Sequence, residues 1–131
     1  MKNILILSIT ISSFILGQDY LLYSDDNDYL GCLNCSKYNS QSICNKYGTY
    51  GNKYNSDSIW NKYGTYGSKY NSDSPWNKYS SNGPKIVDRD GDYYGRFSIN
   101  IHSGYKYSRD LLKLYEHYNG DLDKIRDGYC E

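Results

Sequence analysis

The sequence predicts a small α+β domain stapled by disulfides: a Tyr-rich repeat of short β pieces and turns, then a β-hairpin and one C-terminal helix. Three observations carry this expectation. A sixteen-residue unit recurs almost letter for letter, as CNKYGTYGNKYNSDSI (Cys44–Ile59) and WNKYGTYGSKYNSDSP (Trp60–Pro75), with thirteen of sixteen positions identical. All four cysteines follow an apolar leader. After Gly83-Pro84 the pattern changes to β-prone runs around Asp90-Gly91 and then to a helical stripe. A fixed period means one local structure built several times, so the repeat governs the architecture.

The leader comes first in the chain. Met1-Lys2-Asn3 is weakly basic, Ile4–Leu16 is apolar but short for a bilayer span, and Gly17 is a small residue suited to cleavage. Residues 1–17 therefore read as a secretory signal peptide, leaving 18–131 as a single small domain, secreted or periplasmic and with no stable membrane insertion. Ile15 fits the cleavage pattern poorly, so a retained anchor is the alternative. Fifteen basic and fifteen acidic side chains balance, which gives no strong field toward nucleic acid. The charge is uneven. Gln18–Gly31 holds Asp19, Asp25, Asp26 and Asp28 with no base, and Ser36–Gly83 holds six lysines against Asp57 and Asp73. Complementary solvated faces explain this most simply.

At the start of the domain, Tyr20–Tyr23 reads as an edge strand. Asp25–Asp28 is a turn, with a calcium loop as the weaker alternative. The repeat zone, 36–83, cannot be helical, because Gly48, Gly51, Gly64 and Gly67 interrupt it and Asn and Ser favour turns. Each unit reads as short extended pieces joined at Tyr-Gly and Asn-Ser-Asp-Ser, with the rings gathered on one side. Too few units are present for a free-standing solenoid, so flanking segments must cap the ends. Between Asn34 and Trp76 the only aliphatic residues are Ile43 and Ile59. Tyrosine, with 18 copies, is therefore expected to build much of the core, and the tryptophan slot should point inward.

A core this polar calls for disulfides. In repeat register Cys44 takes the slot of Trp60 and Trp76, and Cys35 the slot of Gly51 and Gly67. If those slots lie together, Cys35–Cys44 is the natural cross-link and Cys32–Cys130 ties down the C-terminus. A redox reading of Cys32-x-x-Cys35 needs a preceding strand and a following helix, which Gly31 and the Asn/Ser-rich sequence argue against. A four-cysteine zinc site conflicts with an oxidising compartment. No metal or cofactor is expected.

Beyond the repeat, Lys85–Asp88 and Tyr93–Ile99 flank Arg89-Asp90-Gly91-Asp92, a hairpin over 85–99. As an EF-hand loop this segment fails, with glycine at position 4 and Ile99 at position 12. Ser108 is placed to cap a helix over 109–118, with Leu111, Leu114, Tyr115 and Tyr118 as its apolar stripe. Asp121 is placed to cap a last short turn carrying Leu122 and Ile125.

The run YLGCLNCSKYNSQSICNKYGTYG, the following units NKYNSDSIWNKY and SKYNSDSPWNKY, and GPKIVDRDGDYYGRF together resemble a group of small secreted bacterial proteins and modules. That group carries Y-G-S-x-Y-S-S-x-S-x-W-N-x-Y repeats followed by P-x-I-V-D-x-D-G-x-Y-G. The resemblance covers about half of the chain and implies an accessory part of an exported protein, with no settled activity.

No nucleophile, zinc or phosphate-loop motif is present. His102 and His117 are the only histidines. The recurring aromatics offer the clearest candidate site. Trp60, Trp76, Tyr66 and Tyr70 form either the core or a stacking platform for sugar rings or bases, the latter disfavoured by the lack of a net basic domain. The expectation is a non-catalytic binding or accessory module without a cofactor, its partner a cell-wall glycan or a protein. A small secreted enzyme with a His/carboxylate site is the alternative.

Overall fold

The computed structural model describes residues 18–131; the signal-peptide and anchor readings concern residues outside that range. The fold is α+β. Strands β1 (Tyr20–Tyr23), β2 (Tyr29–Cys32), β3 (Lys85–Asp88) and β4 (Tyr93–Arg96) form one antiparallel sheet in the order β2-β1-β3-β4. Helices α1 (Ser108–His117) and α2 (Leu122–Tyr129) follow it.

The predicted edge strand is in fact central. β1 pairs with β2 on one side and β3 on the other. The reason is local: Asn27 takes a left-handed conformation (φ 71°) that folds β2 back at once, and Leu21 and Leu22 are both buried. The hairpin of β3 and β4 stands where predicted, turning at Gly91 (φ 89°). Its second strand stops at Arg96, because the Phe97 and Ile99 amides leave the sheet to bond the Pro84 and Pro75 carbonyls. Helix α1 covers nearly the predicted range, but Ser108 does not cap it. Its hydroxyl accepts from the Tyr105 amide, and Tyr107 is the cap residue without a side-chain bond. The short turn after Asp121 is an eight-residue helix whose cap is the Asp121 side chain, accepting from the Lys124 amide.

The repeat itself holds no strand. It is a chain of turns with an unrecognised inner period. Ser, Asn or Gly stands at 36, 39, 42, 45 and 48, again at 52, 55, 58, 61 and 64, and again at 68, 71, 74, 77 and 80. Within each run, every such residue donates its amide to the carbonyl of the one before, at 2.9–3.4 Å. A four-residue step, Gly48 to Asn52 and Gly64 to Ser68, joins the runs. Most of these residues also accept, through their side-chain oxygen, the amide two residues on, as Asn61 does from Tyr63. These are Asx and Ser/Thr turns, the local bonding that makes Asn and Ser compete with helix and sheet. Steps of three, three, three, three and four add up to the sixteen-residue period. At the four-residue step a Cβ on Gly51 or Gly67 would overlap the Asn45 or Asn61 backbone, so the chain requires glycine there.

Each coil of sixteen residues thus has five corners. The Ile-Trp corner points inward, as expected for the tryptophan slot. Trp60 donates its indole N–H to the Ile43 carbonyl at 2.7 Å, and Trp76 does the same to Ile59 at 2.6 Å. The flanks cap the stack, also as expected. Cys32 at the end of β2 exchanges backbone bonds with Gln41 and Ile43, and Ile99 takes the Pro75 carbonyl where a further tryptophan would have stood.

The core departs from the tyrosine expectation. It consists of Leu22, Leu30, Ile43, Ile59, Trp60, Trp76, Phe97, Ile125 and their neighbours, with tyrosines such as Tyr50, Tyr66 and Tyr115 packed at its border. Apart from Ile43 and Ile59 of the repeat, the aliphatic core residues come from the flanks.

The cysteine pairing also differs from expectation. Cys32 joins Cys35, and Cys44 joins Cys130. The slot of Cys44 faces the helices: one coil pair further on, Trp76 stacks on Tyr115 of α1 at 5.7 Å. In the two complete units the glycine slot lies against the asparagine backbone, and in the first, incomplete unit Cys35 turns to Cys32. Cys32–Cys35 does follow a strand, β2, but leads into the turn chain and not a helix. With both pairs oxidised, no thiolate is left for zinc. Asp19, beside the Cys32–Cys35 sulfurs, pairs with Arg89 at 2.7 Å.

Candidate functional site

The four sequence candidates separate. Trp60 and Trp76 are 1% and 2% exposed, so they are core residues and only their edges reach the surface. Tyr66 is half-buried and donates its hydroxyl to Asp28 at 2.8 Å. Burial first, and that carboxylate second, push its pKa up to about 12. Tyr70 alone is open, at 84% exposure.

Tyr70 belongs to a set that the sequence reading passed over. Tyr38, Tyr47, Tyr54, Tyr63, Tyr70 and Tyr79 are all at least 79% exposed. Each follows a lysine, and each lysine ammonium lies 5.1–5.6 Å from the adjoining ring centroid. Each tyrosine amide is held by the side chain of the Asn or Ser two residues before it, at 2.8–3.2 Å. The physical cause is the turn itself. Its first and fourth residues bond to each other, so the two between them project outward. Lys and Tyr occupy those two places twice per coil. The readable signal was the unbroken Asn/Ser-Lys-Tyr triplet, since a ring that always carries a lysine beside it is poorly suited to a core.

The pairs line a row of clefts related by the repeat. One is walled by Lys53, Tyr54, Trp60, Asn61, Lys62 and Tyr63, together with the α1–α2 connection. Sixteen residues on, Lys69, Tyr70, Trp76, Asn77, Lys78 and Tyr79 wall another, with Ile99 and Tyr115. A third joins them, between the pairs at 62–63 and 69–70 and against Tyr115 and Gly120. Their volumes are about 650, 550 and 470 Å³ respectively. Together they form a groove along the repeat, with lysine and tyrosine on its walls and tryptophan edges in its floor.

The charge along the groove is graded. Lys53 is bound to Asp123 of α2 at 2.8 Å. The lysines at 37, 46, 62, 69 and 78 make no ion pair among the described residues. No carboxylate lines the two clefts from Lys62 to Tyr79.

A separate, more apolar cavity of about 750 Å³ lies where Tyr20, Ile86, Tyr94, Tyr105, Leu111 and Tyr129 meet. Burial raises the pKa of Tyr129 to about 12 and raises that of Tyr105 as well, so both phenols are neutral walls. His102 and His117 are exposed and make no ion pair among the described residues.

Compared with known protein families, curated proteins and solved structures, the chain finds no match.

Proposed function

We propose that this protein is an exported, non-catalytic binding module and that its ligand lies across the Lys–Tyr face of the repeat. One observation carries the reading: six exposed Lys–Tyr pairs are presented by the same turn in the same register. Burying a ring in its own core costs nothing in solubility, whereas keeping six large rings in water does. An exposed, regular aromatic row is the kind of surface that serves recognition. Tyrosine suits the task, because it offers a flat apolar face and a hydroxyl with few rotatable bonds. Two oxidised disulfides fit an oxidising compartment, and among the described residues no helix is long and apolar enough to cross a membrane. The disulfides support an extracellular or periplasmic location.

The partner class is a cell-surface glycan or a protein. Pull-down on insoluble peptidoglycan and a glycan array, each with the chain from Gln18, tests the reading. The expected result is retention that falls about tenfold in the double variant Tyr63→Ala/Tyr70→Ala, with the far-UV circular dichroism unchanged. Retention indifferent to these rings in a folded protein would overturn it.

A further inference from the structure

We infer that the groove takes a linear anionic glycan, its sugar rings against the tyrosines and its acid groups on the lysines. This rests on the binding reading above and names the ligand class for the same face.

The charge distribution carries the inference. Lys62, Lys69 and Lys78 line two adjoining clefts in which no carboxylate stands, and none of the three has an ion-pair partner among the described residues. The chain as a whole is neutral, so three uncompensated ammonium groups in one groove are a local property of that surface. An unpaired cation in a concave wall is a site for an anion, and the low-dielectric floor strengthens the attraction. The neighbouring cleft, which Lys62 also lines, holds Asp121 and Asp123, the latter paired with Lys53, so the acid-free stretch begins beyond Lys62 and is carried chiefly by Lys69 and Lys78.

The rings decide what kind of anion. Tyr63, Tyr70 and Tyr79 are each above 80% exposed and alternate with the lysines. A flat ring with a cation beside it matches a sugar whose face is apolar and whose rim bears an acid. The clefts repeat along the chain, so the ligand must be a polymer with recurring units. Its binding should grow with length, as each added contact becomes intramolecular.

Calorimetric titration with the chain from Gln18 tests this. The probes are polygalacturonate (carboxylated sugar), dextran sulfate (sulfated sugar), dextran (neutral sugar) and polyphosphate (an anion without rings). The expected result is binding to both acidic glycans, at least about tenfold tighter than to dextran and to polyphosphate. The slope of log affinity against log salt should be about −2, as for release of counterions from three contacts. Lys62→Gln/Lys69→Gln/Lys78→Gln should abolish the salt slope, and Tyr63→Ala/Tyr70→Ala should weaken binding while leaving that slope in place. A preference between the carboxylated and sulfated chains identifies the acid group. Polyphosphate binding as well as the glycans would overturn the inference, because charge alone would then suffice. Dextran or peptidoglycan held by the same tyrosines, with acidic glycans ignored, would overturn the inference and leave the binding reading intact. A glycan bound with no loss in either variant would overturn both.

Discussion

Trp76 and Ile59 are tied across one repeat: the indole N–H donates to the Ile59 carbonyl at 2.6 Å, as Trp60 does to Ile43 at 2.7 Å. Seventeen residues separate donor and acceptor in both cases. The bond joins the inward corner of one coil to that of the coil before, so a sixteen-residue period in sequence becomes a stack in space. It also solves the problem of burying indole, which needs a partner for its one polar atom.

Replacing Trp76 with Phe should therefore cost more than the lost volume. The Ile59 carbonyl would lose its donor in a dry site, about 1–3 kcal/mol, and the smaller ring would leave a gap against Tyr115 and Phe97. A total loss of about 3 kcal/mol is expected, measured by urea unfolding. Tyr63→Ala, on the exposed face, should change stability by less than about 0.5 kcal/mol. Equal costs would mean that the corners had been assigned the wrong way round.

The Cys44–Cys130 bridge closes a separation of 86 residues and should contribute about 4.5 kcal/mol by constraining the unfolded chain. Cys32–Cys35, with a separation of three, closes almost no loop. Cys44→Ser/Cys130→Ser should lower the melting temperature sharply and loosen α2, and Cys32→Ser/Cys35→Ser should do so much less. Peptide mapping without reduction should recover these two pairs, and a Cys35–Cys44 peptide would refute the fold near the first coil.

Asp73 and Asp57 occupy the same slot in successive units, and their surroundings separate them. Burial, and then the nearby carboxylates of Asp26, Asp25 and Asp28, raise the pKa of Asp73. Its folded value lies above its unfolded value, so the folded state binds the extra proton and stability falls as pH rises through that window. Asp73→Asn should therefore stabilise the protein at neutral pH and flatten the acid side of its stability profile. Asp57→Asn, on an exposed corner, should be the control that changes little.

Asp88 should act in the opposite sense. Tyr94 O–H donates to it at 2.8 Å, and the Asp90 and Asp92 amides donate to its other oxygen, so its pKa is held below the usual carboxylate range. The stability it supplies is present above its unfolded value, about pH 4, and is lost as pH falls through the folded value. Tyr94→Phe should move the acid unfolding midpoint upward. An unmoved midpoint would show that this bond does not stabilise the carboxylate.

The fold was legible wherever one residue type has one job. Asp90-Gly91 marked the hairpin, Leu111 with Leu114 and Tyr115 marked α1, and the recurring tryptophan marked the inward corner. The repeat's conformation was harder to see, because the sixteen-residue identity drew attention from the three-residue step of Asn, Ser and Gly within it. That step is the actual structural code. The site suffered from the same confusion. Tyrosine as a type is ambiguous between core and surface, and only the lysine before each ring and the turn-forming Asn or Ser before that lysine separate Tyr63 or Tyr70 from Tyr66. The disulfide pairing could not be read from register alone, since it depends on where α2 docks. Arg126 fixes that docking, buried and donating to the Gly51 carbonyl at 3.1 Å, and nothing local in the sequence announces it.

The most direct measurement is a titration of ring-labelled tyrosine by nuclear magnetic resonance, with polygalacturonate fragments added to the chain from Gln18. The expected result is a saturable shift of the Tyr63, Tyr70 and Tyr79 rings along a single binding curve, with Tyr105 and Tyr129 in the separate cavity unmoved. Shifts confined to Tyr105 and Tyr129, or no shift at the Lys–Tyr rings under conditions where calorimetry records binding, would contradict the assignment of the repeat face as the ligand surface.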